Sequence, residues 1–140
     1  MTRSYEYRHI VAFGETNLVG NVYYVHLVAW QGRCRELFLR DHAPEILDEL
    51  AGDLSIATTR CSCVYYSELR AFDEVRVRMH IAEQVQNRVT MGFEYHRLAG
   101  GAEELVARGE QEIVTLRREG GRLLPTPLPA GLKSALDRFR

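Results

Sequence analysis

The residues best suited to chemistry lie between Glu15 and Phe38. Glu15-Thr16-Asn17-Leu18-Val19-Gly20-Asn21 has the make-up of a polar loop: Asn17 and Asn21 are turn and cap types, and Gly20 tolerates a positive φ. It runs into Val22-Tyr23-Tyr24 and on to Trp30-Gln31-Gly32-Arg33-Cys34-Arg35-Glu36. Tyr23, Leu27, Trp30, Cys34 and Leu37 recur at spacings of four and three, which predicts a helix from about Tyr23 with one buried face. The first N–H groups of a helix lack intrahelical partners and lie at its positive end, so a loop opening there can hold an oxygen that becomes negative. A capped core helix without chemistry fits the same pattern. Asn17 cannot act as a general base near neutral pH, but its amide can orient a water or bind a carbonyl. Arg35 offers a permanently charged planar fork that suits an enolate, a carboxylate or a keto oxygen. Spacing alone favours the simpler alternative, an Arg35 paired with Asp or Glu on a solvated helix face.

Chemistry through a developing oxyanion would also call for a base, and the acids nearest in sequence are Glu15, Glu36 and Glu68. Beside Arg35, Glu36 would be a weakened base. Thr58 and Tyr65 could line a pocket, and Leu27, Val28 and Trp30 suit an apolar channel, although core packing explains these three equally well. His9 lies on the apolar side of a strand, where a lone histidine is expected to be a satisfied core group. None of His9, His26, His42, His80 and His96 stands at metal-ligand spacing, and no phosphate cradle or dinucleotide fingerprint is present, so neither metal nor cofactor is expected. Cys34, Cys61 and Cys63 form no disulfide framework and are expected to be small packed residues.

The elements that would position these groups follow from periodicity. Residues 3–13 alternate as a half-buried strand, with Tyr5, Tyr7, His9, Val11 and Phe13 on one side. The helix runs to about Arg40. Its Gly32 suggests a close backbone approach, either to the sheet or to a second subunit. Pro44 stops the helix, and one short helical turn reaches Leu50. Strands are predicted over residues 54–68, 74–83, 88–97 and 103–116, with turns at Gln84–Asn87 and at Leu98-Ala99-Gly100-Gly101. Residues 118–129 read as a Gly/Pro-rich tail and 130–139 as a short terminal helix. The expectation is an α+β fold in one domain spanning residues 1–140: about five antiparallel strands, four of them in a meander, curved around one long helix.

A strand, a loop of the form Asp-x-Asp-x-x-Gly, a long helix and a meander together resemble the hotdog-fold acyl thioesterases. Here the loop is Glu15-Thr16-Asn17-Leu18-Val19-Gly20, and Tyr65 with Asp73-Glu74-Val75 looks like the family's second signature. Asn17 stands where that family usually carries its catalytic aspartate. With Asn21-Val22-Tyr23, Trp30-Gln31-Gly32 and Cys34-Arg35-Glu36, this departure resembles the thioesterases of enediyne polyketide biosynthesis. The resemblance implies hydrolytic release of a polyene β-keto acyl chain from the acyl carrier protein domain of an iterative polyketide synthase, followed by possible loss of carbon dioxide. It implies catalytic roles for Asn17, Arg35 and the Tyr24 backbone N–H, with Gly20, Asn21, Leu27, Glu36, Thr58, Tyr65 and Glu68 around the substrate. It also implies a homo-oligomer, a dimer or a tetramer of paired dimers. Arg35 lies 13 residues beyond Val22, about 20 Å along a helix. It therefore meets Asn17 only if the loop folds back or a second chain supplies one of the two.

The remaining expectations come from charge. A net charge of −1 with dispersed basic residues argues against a nucleic-acid role. With no leader and no long apolar run, a cytoplasmic protein without membrane contact is expected. Arg117, Arg118 and Arg122 could face an acidic carrier protein. The competing readings are a general acyl-CoA thioesterase and a hotdog binding protein without catalysis.

Overall fold

The computed structural model describes residues 3–140. Strand β1 (Tyr5–Ile10) leads through a 3-10 turn (Phe13–Glu15) and a loop into α1 (Val25–His42), followed by α2 (Pro44–Leu50). Then come β2 (Leu54–Tyr65), β3 (Glu74–Val85), β4 (Arg88–Ala99), β5 (Ala102–Glu119), β6 (Arg122–Pro125) and α3 (Ala130–Asp137). In β3 the period-two pattern does what it predicts: Val75, Val77, Met79 and Ile81 are buried and their neighbours half-exposed. The β3–β4 turn places Gln86 at φ 55°, and Gly100-Gly101, at φ 57° and 84°, close the β4–β5 hairpin. Positive φ at both central residues matches the twist of the flanking strands, and only glycine adopts it without steric cost.

The sheet is antiparallel with the order β1-β3-β4-β5-β2, and β6 pairs with the far end of β5. Two expectations are corrected here. The meander is three strands, β3-β4-β5, because β2 pairs with β5 on the opposite edge from β1. The segment after β2 crosses the end of the sheet to reach β3. It is held there by the buried Leu69, by Tyr66 N–H on Val106 O (2.8 Å) and by Phe72 N–H on Val11 O (2.8 Å). The tail contributes a strand, since the Glu119↔Arg122 turn lets residues 122–125 pair back on β5.

Helix α1 packs on the curled sheet through Leu27, Trp30, Gln31, Cys34, Phe38 and Leu39. The stripe differs from the expected one: Tyr23 precedes the helix and is exposed, and Leu37 is only half-buried. At 3.6 residues per turn the seam advances from Leu27 to Gln31, Cys34 and Phe38, so a glutamine occupies a core position. Phe13 is exposed rather than facing the core with Val11, because the strand ends at Ile10 and the chain turns. Cys61 is exposed on edge strand β2, not packed. Gly32 has no atom within 4 Å of an added Cβ, so it makes no close approach to this chain's own sheet. Helix α3 closes one end of the core, with Phe139 edge-on to Phe38 and its carbonyl accepting Ile81 N–H at 2.8 Å. Among the described residues no helix is long and apolar enough to cross a membrane.

Candidate active site

The loop before α1 is a closed turn built by Asn17. Its backbone N–H donates to Asn21 O (2.7 Å) and its carbonyl accepts Gly20 N–H (3.0 Å). Its Oδ1 accepts the N–H groups of Val19 (3.0 Å) and Asn21 (3.2 Å). Gly20, at φ 86°, makes the turn possible. Because two backbone donors fix Oδ1, the part of the Asn17 amide left for a substrate is Nδ2, a donor. Asn21 is not a helix cap; the N-cap is Tyr24, in helical conformation and without a side-chain capping bond.

Glu15 ties this loop to the core. Its Oε1 accepts Ala12 N–H and pairs with His9 Nε2, each at 2.8 Å, and its Oε2 accepts Trp30 Nε1–H at 2.9 Å. Burial pushes its carboxyl pKa up, but the Ala12, His9 and Trp30 donors outweigh that and hold it below the usual value. A carboxylate so saturated is a structural anchor and a poor base. His9, bonded also to the Tyr7 hydroxyl (2.8 Å) and packed on Trp30, is the satisfied group expected of it.

At the helix start, the Tyr24 backbone N–H has no acceptor among the described residues, while the Tyr24 carbonyl accepts the Tyr65 hydroxyl at 2.8 Å. Burial, with Cys63 adding to it, pushes the Tyr65 phenol up to about 12, so it remains a neutral donor. Phe13, Leu18, Val19, Tyr23 and His26 border an open groove of about 800 Å³ beside Asn17.

Arg35 turns toward the sheet. Its Nη1 donates to Gln111 Oε1 (2.7 Å) and Thr58 Oγ1 (3.0 Å), and among the described residues no carboxylate is within ion-pairing distance. The solvated-face pairing that spacing favoured is not what forms. Burial lowers the guanidinium pKa and Glu36 opposes the shift, but a guanidinium stays charged. Glu36 instead pairs with Arg33 on the exposed face (3.4 Å). Glu68 is exposed, and its backbone carbonyl accepts Arg97 Nη1 (2.6 Å). Leu27 lies in the core at 4% exposure, so within this chain it does not border the groove. Arg117 is paired with Asp53 at 2.7 Å.

Asn17, Gly20, Asn21, Tyr24 and Tyr65 therefore gather at the start of α1, whereas Arg35 and Thr58 gather elsewhere. Tyr65 touches Tyr24, and Thr58 touches Arg35. The step of seven residues along β2 from Thr58 to Tyr65 and the step of eleven from Tyr24 to Arg35 along α1 each span roughly 15–25 Å. Sequence reasoning missed Gln31 and Gln111, the buried amides beside Arg35; the available signal was that both fall on inward-facing positions of their elements.

The thioesterase-like superfamily model matches residues 11–136. Among solved structures, the dynemicin thioesterase, crystallised in a study of polyene binding, is 48% identical with a TM-score of 0.94, covering 97% of this chain and 96% of that one. A 4-hydroxybenzoyl CoA thioesterase mutant complexed with 4-hydroxybenzoyl CoA superimposes with a TM-score of 0.84 at 20% identity, covering 96% of this chain and 99% of that one. The 1,4-dihydroxy-2-naphthoyl-CoA thioesterase of Synechocystis does so with a TM-score of 0.83 at 18% identity over 96% of each chain. These last two share the fold. No curated protein matches the chain. With its curled antiparallel sheet around α1 and the matched region covering nearly the whole chain, this protein belongs to the thioesterase-like superfamily of hotdog-fold acyl thioester hydrolases.

Proposed function

We propose that this thioesterase releases a polyene β-keto acyl chain from the acyl carrier protein domain of an iterative enediyne polyketide synthase, as an acid that can then lose carbon dioxide. The observation that carries this reading is the 48% identity, over nearly the full length of both chains, to the dynemicin thioesterase, a protein studied with bound polyene. Two features of the site support it. The free Tyr24 N–H and the Asn17 Nδ2 are donors suited to the thioester oxygen as a tetrahedral adduct forms. Arg35, charged and without a carboxylate, suits the β-keto oxygen or its enolate.

In this mechanism a water oxygen adds to the thioester carbon, the C–S bond breaks, and the departing sulfur takes up a proton. Within one chain Glu15 is saturated and Glu36 is paired on the exposed face, so the site acts by orienting water and stabilising charge rather than through a strong carboxylate base. Because Asn17 and Arg35 lie far apart in one chain, we place the complete site between two copies, with Arg35 of one facing Asn17 of the other. The unpaired edge of β2 is the natural seam. The test is product release from a loaded synthase by wild type, Asn17→Ala and Arg35→Ala. Release by wild type with at least a tenfold loss, about 1.4 kcal/mol, in both variants supports the reading. Faster turnover of free acyl-CoA than of the carrier-bound chain would favour a general acyl-CoA thioesterase. Docking without any release would favour a binding protein.

A further inference from the structure

Gln31 is wholly buried in the stripe of α1 that otherwise carries Leu27, Trp30, Cys34 and Phe38, and Gln111 is an inward residue of β5 at 4% exposure. Two amides in an apolar core are unfavourable unless each bond is made, and leucine at either position would avoid the cost. Both amides are used in one directed chain. Gln31 Nε2 donates to the Ser62 carbonyl (2.9 Å), Gln111 Nε2 donates to Gln31 Oε1 (3.5 Å), and Gln111 Oε1 accepts Arg35 Nη1 (2.7 Å). The backbone carbonyl at one end sets the sense of every link, because it can only accept; the last link can therefore offer Arg35 only an oxygen. The sheet makes room for this chain at Gly109, where an added Cβ would lie 2.3 Å from Gln31 Nε2 and 2.9 Å from Ser62 O. Thr58 Oγ1, the other Arg35 partner, is also neutral (3.0 Å).

We infer that Gln111, oriented by Gln31, is a positioning residue that aims the Arg35 guanidinium while leaving its charge uncompensated for an anionic oxygen of the acyl substrate. A carboxylate would hold Arg35 equally well in direction but would neutralise it; an apolar residue would leave it free to swing. The substrate in this inference rests on the function proposed above, whereas the hold on Arg35 does not.

The experiment uses Gln111→Met, Gln111→Glu and Arg35→Ala, alone and with Gln111→Met added to Arg35→Ala. Gln111→Met is expected to lower kcat by about tenfold or more, with a smaller change in KM, and to have no further effect in the Arg35→Ala background. Gln111→Glu, nearly the same shape, is expected to stay folded, to lose activity at neutral pH, and to regain part of it as acidification protonates the introduced carboxyl. Equal losses from Gln111→Met in both backgrounds, or a Gln111→Glu variant as active as wild type at neutral pH, would overturn the inference. If wild type releases no product, the proposed function fails and guanidinium NMR decides the positioning separately. Hindered Nη rotation at Arg35 that is lost in Gln111→Met supports the hold, and rotation unaltered by Gln111→Met sinks it.

Discussion

Asn17 holds its own loop closed, and in the proposed reaction the same side chain also carries chemistry. Its Oδ1 closes the loop, and its Nδ2 makes no hydrogen bond among the described residues. Asn17→Asp keeps both acceptor bonds but replaces the donor with an acceptor. The expected outcome is a thermal midpoint close to wild type with activity at least tenfold lower, about 1.4 kcal/mol, because a carboxylate there repels the developing oxyanion. Activity equal to or above wild type would show that position 17 supplies a base after all. Glu15 makes a different claim, about stability. Its folded carboxyl titrates below its unfolded value, so its stabilisation is fully present above the ordinary glutamate range and fades as pH falls through the lower, folded pKa. Glu15→Gln should therefore be less stable than wild type by about 1–3 kcal/mol at neutral pH. In urea titrations that gap should narrow below about pH 4.5. A gap that stays constant down to acid pH would remove the charged bonds from His9 and Ala12 as its cause.

The elements show where a local pattern is enough and where it is not. The alternation of β3, the paired glycines of the β4–β5 hairpin and the long helix were all readable, because each depends on neighbours within a few residues; in β4 the expected alternation gives way to a run buried on both faces from Val89 to Phe93. The place of β2 was not readable: its β-branched and tyrosine-rich make-up marks a strand, not which strand lies beside it, and its partner β5 begins 37 residues after β2 ends. Asn17 and Arg35 stood out by residue type, and a family resemblance gave them roles. Gln31 and Gln111 did not stand out, because a lone polar residue on an apolar stripe is ambiguous until its partner from a distant strand is known. Two glycines carry the element-scale prediction. Gly32 meets nothing within 4 Å and lies mid-helix, so Gly32→Ala should stabilise an isolated chain by about 1 kcal/mol. Gly109→Ala should destabilise, since its methyl would occupy the place of Gln31 Nε2. Chemical denaturation of both reads the contrast. A destabilised Gly32→Ala would mean that another surface, such as a partner subunit, packs on that turn.

At the scale of the whole molecule, the separation of the Asn17–Tyr24 group from the Arg35–Thr58 group is the strongest argument for the proposed assembly. The start of α1 holds the donors and the middle of α1 holds the charge, with roughly 15–25 Å of helix and strand between them. A single β-keto thioester head cannot bridge that distance. The edge of β2 offers a way to bring two copies together. Tyr66 N–H pairs inward with Val106, so by the period of two the N–H groups of Cys61 and Cys63 point away from β5 toward open space. A proline at position 61 would remove one of these outward donors without touching the pairing to β5. Cys61→Pro should accordingly weaken the dimer, seen as a lower mass in sedimentation at micromolar concentration, while keeping the circular dichroism of the folded chain. The decisive measurement mixes two inactive proteins, Asn17→Ala and Arg35→Ala, after subunit exchange. If each site takes Asn17 from one chain and Arg35 from the other, half of the dimers are mixed and one of the two sites in each is intact, so about a quarter of wild-type activity returns. If both residues act from one chain, no mixture contains an intact site and none returns. An inactive mixture in which exchange has been verified by mass would therefore confine the chemistry to a single chain and require the Arg35 cluster to serve some step other than contact with the thioester bound at Asn17.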